Sequence, residues 1–287
     1  MQESFAAGSN HRETATMEYQ LLKYEVDERV VTITFNNPSR YNAFSSRMKK
    51  EFRTAIAGAD KDESIRVIIV TGAGGKAFST GYDLNEAIAI PRRSATDWRS
   101  RITDDFEFTY TVWACSKPVI AQIDGYCLAG ALEFAQMCDI RYCSEDSKFG
   151  VVESRFSGGV TTLAMPWIMG PRCRELVYTG DTIGATEAKE MGLVNRVFPK
   201  DSLHVETMKL AKRMSLIAMA CLQGSKRAIN QTYDIMGFGA ATANGLEACV
   251  LLEAIDSPEY REFDLLRREK GVKEALKWRD AQFKKYE

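Results

Sequence analysis

The chain has 287 residues, is 45% hydrophobic and 27% charged, and carries a formal net charge of −1. That balance is ordinary for a globular protein with a sizeable core. It gives no cationic footprint for nucleic acid, and no apolar run is long enough to span a membrane.

Residues 1–16 are polar, lack the apolar stretch of a secretory signal, and read as a disordered tail. Segments 21–26 and 30–35 alternate as strands around the turn Asp27-Glu28-Arg29, a hairpin signal. Helical spacing follows over 45–56 and a short buried strand over 67–70. An aromatic-rich helix spans 95–114, with Trp98, Phe106, Phe108, Tyr110 and Trp113 either packing a core or lining a pocket. Further strands are expected at 118–123 and 139–142. Strands and helices alternate to about residue 200, which predicts an α/β layered domain over 17–200. From 201 to 287 the pattern is helical, with apolar periodicity over 203–214, 217–236, 240–255 and 272–278. Such an end must bury its apolar faces on the core or on another subunit.

The seven cysteines are odd in number, form no C-x-x-C pair and sit mostly in apolar runs. Buried thiols in a reducing, cytoplasmic compartment are expected rather than disulfides or a metal. The two histidines, His11 and His204, fall in the tail and at a helix start, so a Ser–His or Cys–His nucleophile is not expected. Gly72-Ala73-Gly74-Gly75-Lys76-Ala77 has the form of a dinucleotide fingerprint. Phe78-Ser79-Thr80-Gly81 continues as loop where a helix would be needed, so that reading fails.

Two glycine turns and two glutamates carry the chemistry. In Gly125 to Glu133, Gly130 falls in the first turn of a helix over 129–137, where its N–H has no intrahelical partner and can meet a developing negative oxygen. Glu133 lies three residues on, in the apolar run Ala131-Leu132-Glu133-Phe134-Ala135. Burial there raises a carboxylate's pKa toward the general acid–base range. A solvated glutamate is the plainer reading for an isolated Gly-x-x-Glu. The turn Phe78 to Leu84 can aim a second N–H, that of Tyr82, at a cavity, since Gly81 lets the backbone bend. Glu153 gains meaning as a partner: two neighbouring carboxylates split their pKa values, one protonated and one ionised.

In sequence order, these pieces resemble the crotonase superfamily, the enoyl-CoA hydratase/isomerase family. The matching stretches are Asn37-Pro38 with Asn42-Ala43, Ala77 to Leu84, Lys117 to Ala121, Gly125 to Glu133, Cys138-Asp139-Ile140, Thr179-Gly180-Asp181, and Ala185, Ala188 and Gly192-Leu193-Val194. The resemblance implies a spiral of ββα units and a C-terminal helical region that builds homotrimers or homohexamers. It implies an acyl-CoA substrate with no separate cofactor. It places a thioester oxygen between the N–H groups of Tyr82 and Gly130, assigns water activation to Glu133, and assigns proton exchange at the α-carbon to Glu153. Arg40, Tyr41, Ala43, Gly81, Asp83, Leu84 and Asn85 match the stretches that hold CoA, and Lys284 matches a lysine that reaches a neighbour's CoA phosphate.

Two departures stand out. The family's Gly-Gly-Gly is Ala129-Gly130-Ala131 here. The loop after the second glutamate is shortened over 154–160, and Arg155 is expected to lower the pKa of Glu153. Hydration of a 2-enoyl-CoA is the leading expectation. Isomerisation, hydratase–lyase cleavage, thioester or C–C hydrolysis, and acyl-CoA binding without catalysis are the alternatives.

Overall fold

The computed structural model describes residues 18–88, 94–156, 164–255 and 257–286. The expected tail and residues 157–160 of the shortened loop lie outside them. The chain opens with the hairpin β1 (Leu22–Asp27) and β2 (Val30–Phe35), then α1 (Ser46–Lys61), whose N-terminus is capped by Ser45 accepting from the Met48 N–H. Next come β3 (Val67–Gly72), β4 (Ala77–Ser79), α2 (Leu84–Ile88) and α3 (Ala95–Ala114), the last begun by a reciprocal Ser94–Asp97 capping box. The third unit is β5 (Val119–Ile123), β6 (Tyr126–Leu128) and α4 (Gly130–Met137). The fourth is β7 (Ile140–Ser144), β8 (Lys148–Gly150), a 3₁₀ turn (Val152–Phe156), α5 (Met165–Met169) and α6 (Cys173–Thr179). Then follow β9 (Thr182–Gly184), α7 (Ala185–Glu190) and β10 (Arg196–Phe198). The remainder is helical: α8 (Lys200–Met214), α9 (Met219–Ile235), α10 (Phe238–Ala254), α11 (Pro258–Lys270) and α12 (Val272–Phe283).

The strands sort into two sheets. One has the order β1-β2-β3-β5-β7-β10, parallel except for the β1–β2 hairpin. The other has the order β4-β6-β8-β9, parallel except at β8–β9. The strands β3, β5 and β7 each feed a short partner in the second sheet before the next helix, the expected spiral of ββα units, while β2 leads to α1 without one. The segment read as a failed dinucleotide fingerprint runs from β3 through a turn into β4, a strand and not a helix.

The core explains the aromatic residues of the central helices. Phe134 of α4 meets Phe108 of α3 at 5.1 Å between ring centroids, Phe52 of α1 at 5.2 Å, Phe35 of β2 at 5.6 Å and Phe44 at 5.7 Å. All five rings are buried. In α3, Phe106, Tyr110 and Trp113 pack half-buried against the same core, so its aromatic face is chiefly structural. Lys226 of α9, buried, binds the Asp139 carboxylate at 2.8 Å and the carbonyls of Val112 and Lys117, tying the C-terminal helices to the sheet. The helix over Pro258–Lys270 escaped the periodicity reading because its charges surround few apolar positions.

Phe134→Ala removes the ring at the centre of this cluster. It is expected to lower stability by about 3–5 kcal/mol, read as a lower denaturation midpoint in urea at unchanged slope.

Candidate functional site

Both glycine turns lie at the junction of β4 and β6 with α4. Gly81 has φ +86°, which puts it in the region glycine adopts without strain. A Cβ there would stand 2.9 Å from the Gly130 nitrogen, so the two turns are in direct contact. Among the described residues, neither the Tyr82 nor the Gly130 N–H donates to a protein acceptor, although their neighbours do: Ala129 donates to Gly150 and Asp83 to Phe44. Gly130 is the first residue of α4, where helical geometry leaves the N–H unclaimed. Its predecessor Ala129 has φ +55° and ψ −136°, a backbone state that glycine enters freely and alanine does not. Replacing the family's first glycine by alanine thus leaves the turn intact and loads it with strain.

Glu133 lies one turn into α4. Burial pushes its carboxyl well above the usual range, with further upward pressure from Glu153 and Asp105. Glu153 lies in the 3₁₀ turn after β8, where burial raises it to about 7. Its Oε2 is enclosed and has no hydrogen-bond partner among the described residues, and neither has the Ser154 hydroxyl beside it. An orphaned buried carboxylate oxygen is costly unless a bound molecule satisfies it. Both carboxyls are thus held above the ordinary carboxylate range, Glu133 in part by the neighbouring Glu153.

The expected suppression of Glu153 by Arg155 is not found. Arg155 ion-pairs with Asp181, and its guanidinium lies 4.8 Å from the centre of the Phe283 ring. After burial, the influences on Glu153 are its own backbone N–H, which lowers the pKa, Glu253, which raises it, and Arg279, which lowers it. The sequence showed a nearby cation but not the Asp181 carboxylate that draws it away.

The remaining predicted residues fall into two groups. Arg40, exposed, ends a short 3₁₀ turn and pairs with buried Asp83 at 3.3 Å. Asp83 also accepts from the Asn85 backbone and side chain, each at 2.9 Å. Tyr41 is exposed at φ +50°, Ala43 is buried, Leu84 is half-buried and Asn85 exposed. Buried Asn42 organises this rim: its side chain accepts from Asn37 and donates to the carbonyls of Ala73 and Ala77. Together these residues make a polar lip beside the two turns. Lys284, at the exposed end of α12, has no hydrogen bond or ion pair to that lip among the described residues.

The family model described as "Enoyl-CoA hydratase/isomerase" matches residues 25–275. The chain belongs to this family. It is similar to a putative enoyl-CoA hydratase of Mycobacterium tuberculosis, 34% identical over 269 residues that cover 85% of this chain and 83% of that protein. A crotonyl-CoA hydratase of Syntrophomonas wolfei is 30% identical over 221 residues, 75% of this chain and 83% of that one. Among solved structures, an enoyl-CoA hydratase/isomerase from Xanthobacter autotrophicus Py2 superposes with a TM-score of 0.89 at 35% identity, covering 93% of this chain and 99% of that one. In this enoyl-CoA hydratase/isomerase relative, then, a family scaffold carries both glutamates, a tyrosine at the first turn and a strained alanine before the second.

The raised Glu153 makes stability depend on pH. The unfolded chain ionises this carboxyl near 4.5 and the folded chain near 7, so stability falls as pH rises through that interval. Glu153→Gln removes the penalty. At pH 8 the variant is expected to be more stable than wild type by about 3 kcal/mol, and the gap should close by about pH 4.5. Denaturant titrations of both proteins at the two pH values measure it, and a gap independent of pH would contradict the desolvated carboxyl.

Proposed function

We propose that this protein is an enoyl-CoA hydratase that adds water reversibly across the double bond of a 2-enoyl-CoA. What supports the reading is the short helix that begins with Gly130 and carries Glu133, a carboxyl raised by burial and by Glu153, beside two neighbouring N–H groups that no acceptor among the described residues claims. The N–H groups of Tyr82 and Gly130 form the oxyanion hole in this reading. Hydrogen bonds to the thioester oxygen draw electrons from the double bond, making the β-carbon electrophilic and stabilising the enolate. The ionised member of the pair takes a proton from water as its oxygen bonds to the β-carbon. The protonated member then delivers its proton to the α-carbon, and the carbonyl reforms. Water has been split across the double bond and the pair again holds one proton.

The family resemblance gives water activation to Glu133 and α-carbon protonation to Glu153. Burial raises both carboxyls in the free protein, so the pair can hold the one proton the reaction uses near neutral pH. Arg40, Tyr41, Ala43, Gly81, Asp83, Leu84 and Asn85 support CoA in this reading, and Lys284 acts toward a neighbouring subunit. The chemistry is complete without a metal or separate cofactor.

Crotonyl-CoA hydration, followed by loss of the conjugated thioester absorbance and by product mass, tests the reading. A product heavier by one water is expected. Glu133→Gln and Glu153→Gln should each lower kcat by about 100-fold or more while acyl-CoA affinity changes little. The kcat/KM profile should break near pH 7, with that limb absent in Glu153→Gln. An isomer of unchanged mass would replace hydration with a double-bond shift.

We also infer a homotrimer or homohexamer. Ile229 and Ile235 of α9 and Leu251, Leu252 and Ile255 at the end of α10 are exposed, an apolar surface suited to a subunit contact. No single described helix is long and apolar enough to cross a membrane, although α9 and α10 pass that test as a pair bent by 65°. The free and mostly buried cysteines fit a reducing, cytoplasmic setting. Light scattering should give a trimer or hexamer mass, and a monomer would remove the oligomer from the reading.

A further inference from the structure

The site described above uses Tyr82 through its backbone alone, yet its side chain is the most constrained feature of the turn. The ring lies against the second turn. A Cβ at position 130 would come within 2.4 Å of the Tyr82 Cε2 and 2.7 Å of its Cδ2. Phe44 meets the ring edge-on at 6.0 Å between centroids. At its far end the hydroxyl donates to the Asp105 carbonyl at 3.1 Å and lies 3.1 Å from the Thr109 hydroxyl. With one proton on the phenol, Thr109 is the donor in the second contact.

Those anchors stand on α3, which is itself fixed. Lys49 of α1, buried, ion-pairs with both Asp104 and Asp105, and Arg53 pairs with Asp104 at 2.7 Å. The Lys49 ammonium also lies 5.6 Å from the centre of the Tyr82 ring. A continuous path therefore runs from α1 through the Lys49–Asp105 pair, α3 and the phenol ring to the Cα of Gly130. The residue that begins this ring carries one of the unclaimed N–H groups, and the residue against which it ends carries the other.

We propose that the Tyr82 side chain is a positioning residue: a strut, seated on α3, that sets the separation of the Tyr82 and Gly130 N–H groups. The kinetic part of this inference rests on the hydratase reading, whereas the optical part needs only acyl-CoA binding. A small residue at position 82 would present the same N–H without fixing its distance from the second turn. The requirement for glycine at 130 follows from the same contact, since the ring occupies the place of a side chain there.

Tyr82→Phe keeps the ring over Gly130 and removes both hydroxyl contacts. Thr109→Val removes one of them at nearly constant volume. The probes are crotonyl-CoA turnover and the absorption of bound cinnamoyl-CoA, whose band moves to longer wavelength as its carbonyl is polarised. Tyr82→Phe is expected to lower kcat about tenfold with KM changed less than about threefold, and to lose much of the wavelength shift. Thr109→Val should move both readouts the same way by less, and it carries the test if Tyr82→Phe melts early. Glu153→Gln should lose turnover and keep the shift. A Tyr82→Phe protein with the wild-type shift overturns the strut, whatever its rate. Wild-type protein that shifts the probe but hydrates no enoyl-CoA overturns the hydratase reading and leaves the strut to be judged on the optical result.

Discussion

The packing of Phe134 among four other phenylalanines is the contact on which the site depends. Helix α4 is only eight residues long, too short to hold its shape in water from hydrogen bonding alone. Its position comes from the ring that enters the cluster made by β2, α1, α3 and the segment carrying Phe44. Phe134 adjoins Glu133 in sequence, so one residue faces the core while its neighbour faces the site. The unclaimed N–H of Gly130 begins the same helix. Packing density therefore becomes chemical precision, because a shift of the ring moves donor and carboxylate together.

Electrostatics works against stability at this place. Desolvation raises both carboxyls, with Glu153 and Asp105 adding to the cost of ionising Glu133 and Glu253 adding to that of Glu153. Ala129 adds backbone strain at the turn that leads into the helix of Glu133. These costs fall on one small region, while β2 beside it is buried along its whole length. Such concentration of unfavourable terms is what acid–base work near neutral pH requires, since a solvated glutamate would titrate too low.

The long elements other than α11 were legible because their periodicity is strong. The hairpin, the capped helix at Ser45, the buried strands and the aromatic helix all stand close to where their patterns placed them. The second sheet was not legible: β4, β6, β8 and β9 are three residues each, too short to show alternation. Glu133 and Gly130 could be picked out by local context. The release of Glu153 from Arg155 could not, because Asp181 lies on a distant turn. Several motif residues also have structural work that spacing does not disclose. Lys117 caps the end of α1 through the carbonyls of Ala59 and Asp62, and Asp139 receives Lys226. The tie from Tyr82 to α3 is of the same kind, a long-range contact with no local signature.

One contact bears on biosynthesis. The turn carrying Glu153 packs against α12, where Phe283 covers Arg155 and Arg279 acts on the glutamate. Chains fold progressively as they leave the ribosome, and α12 is translated long after the sheets and α4 are able to assemble. The nascent protein can thus hold its sheets and both glycine turns before the helix that packs on the turn of Glu153 has been made. A chain stalled before α12 would lack both the Phe283 ring over Arg155 and the Arg279 charge that acts on Glu153.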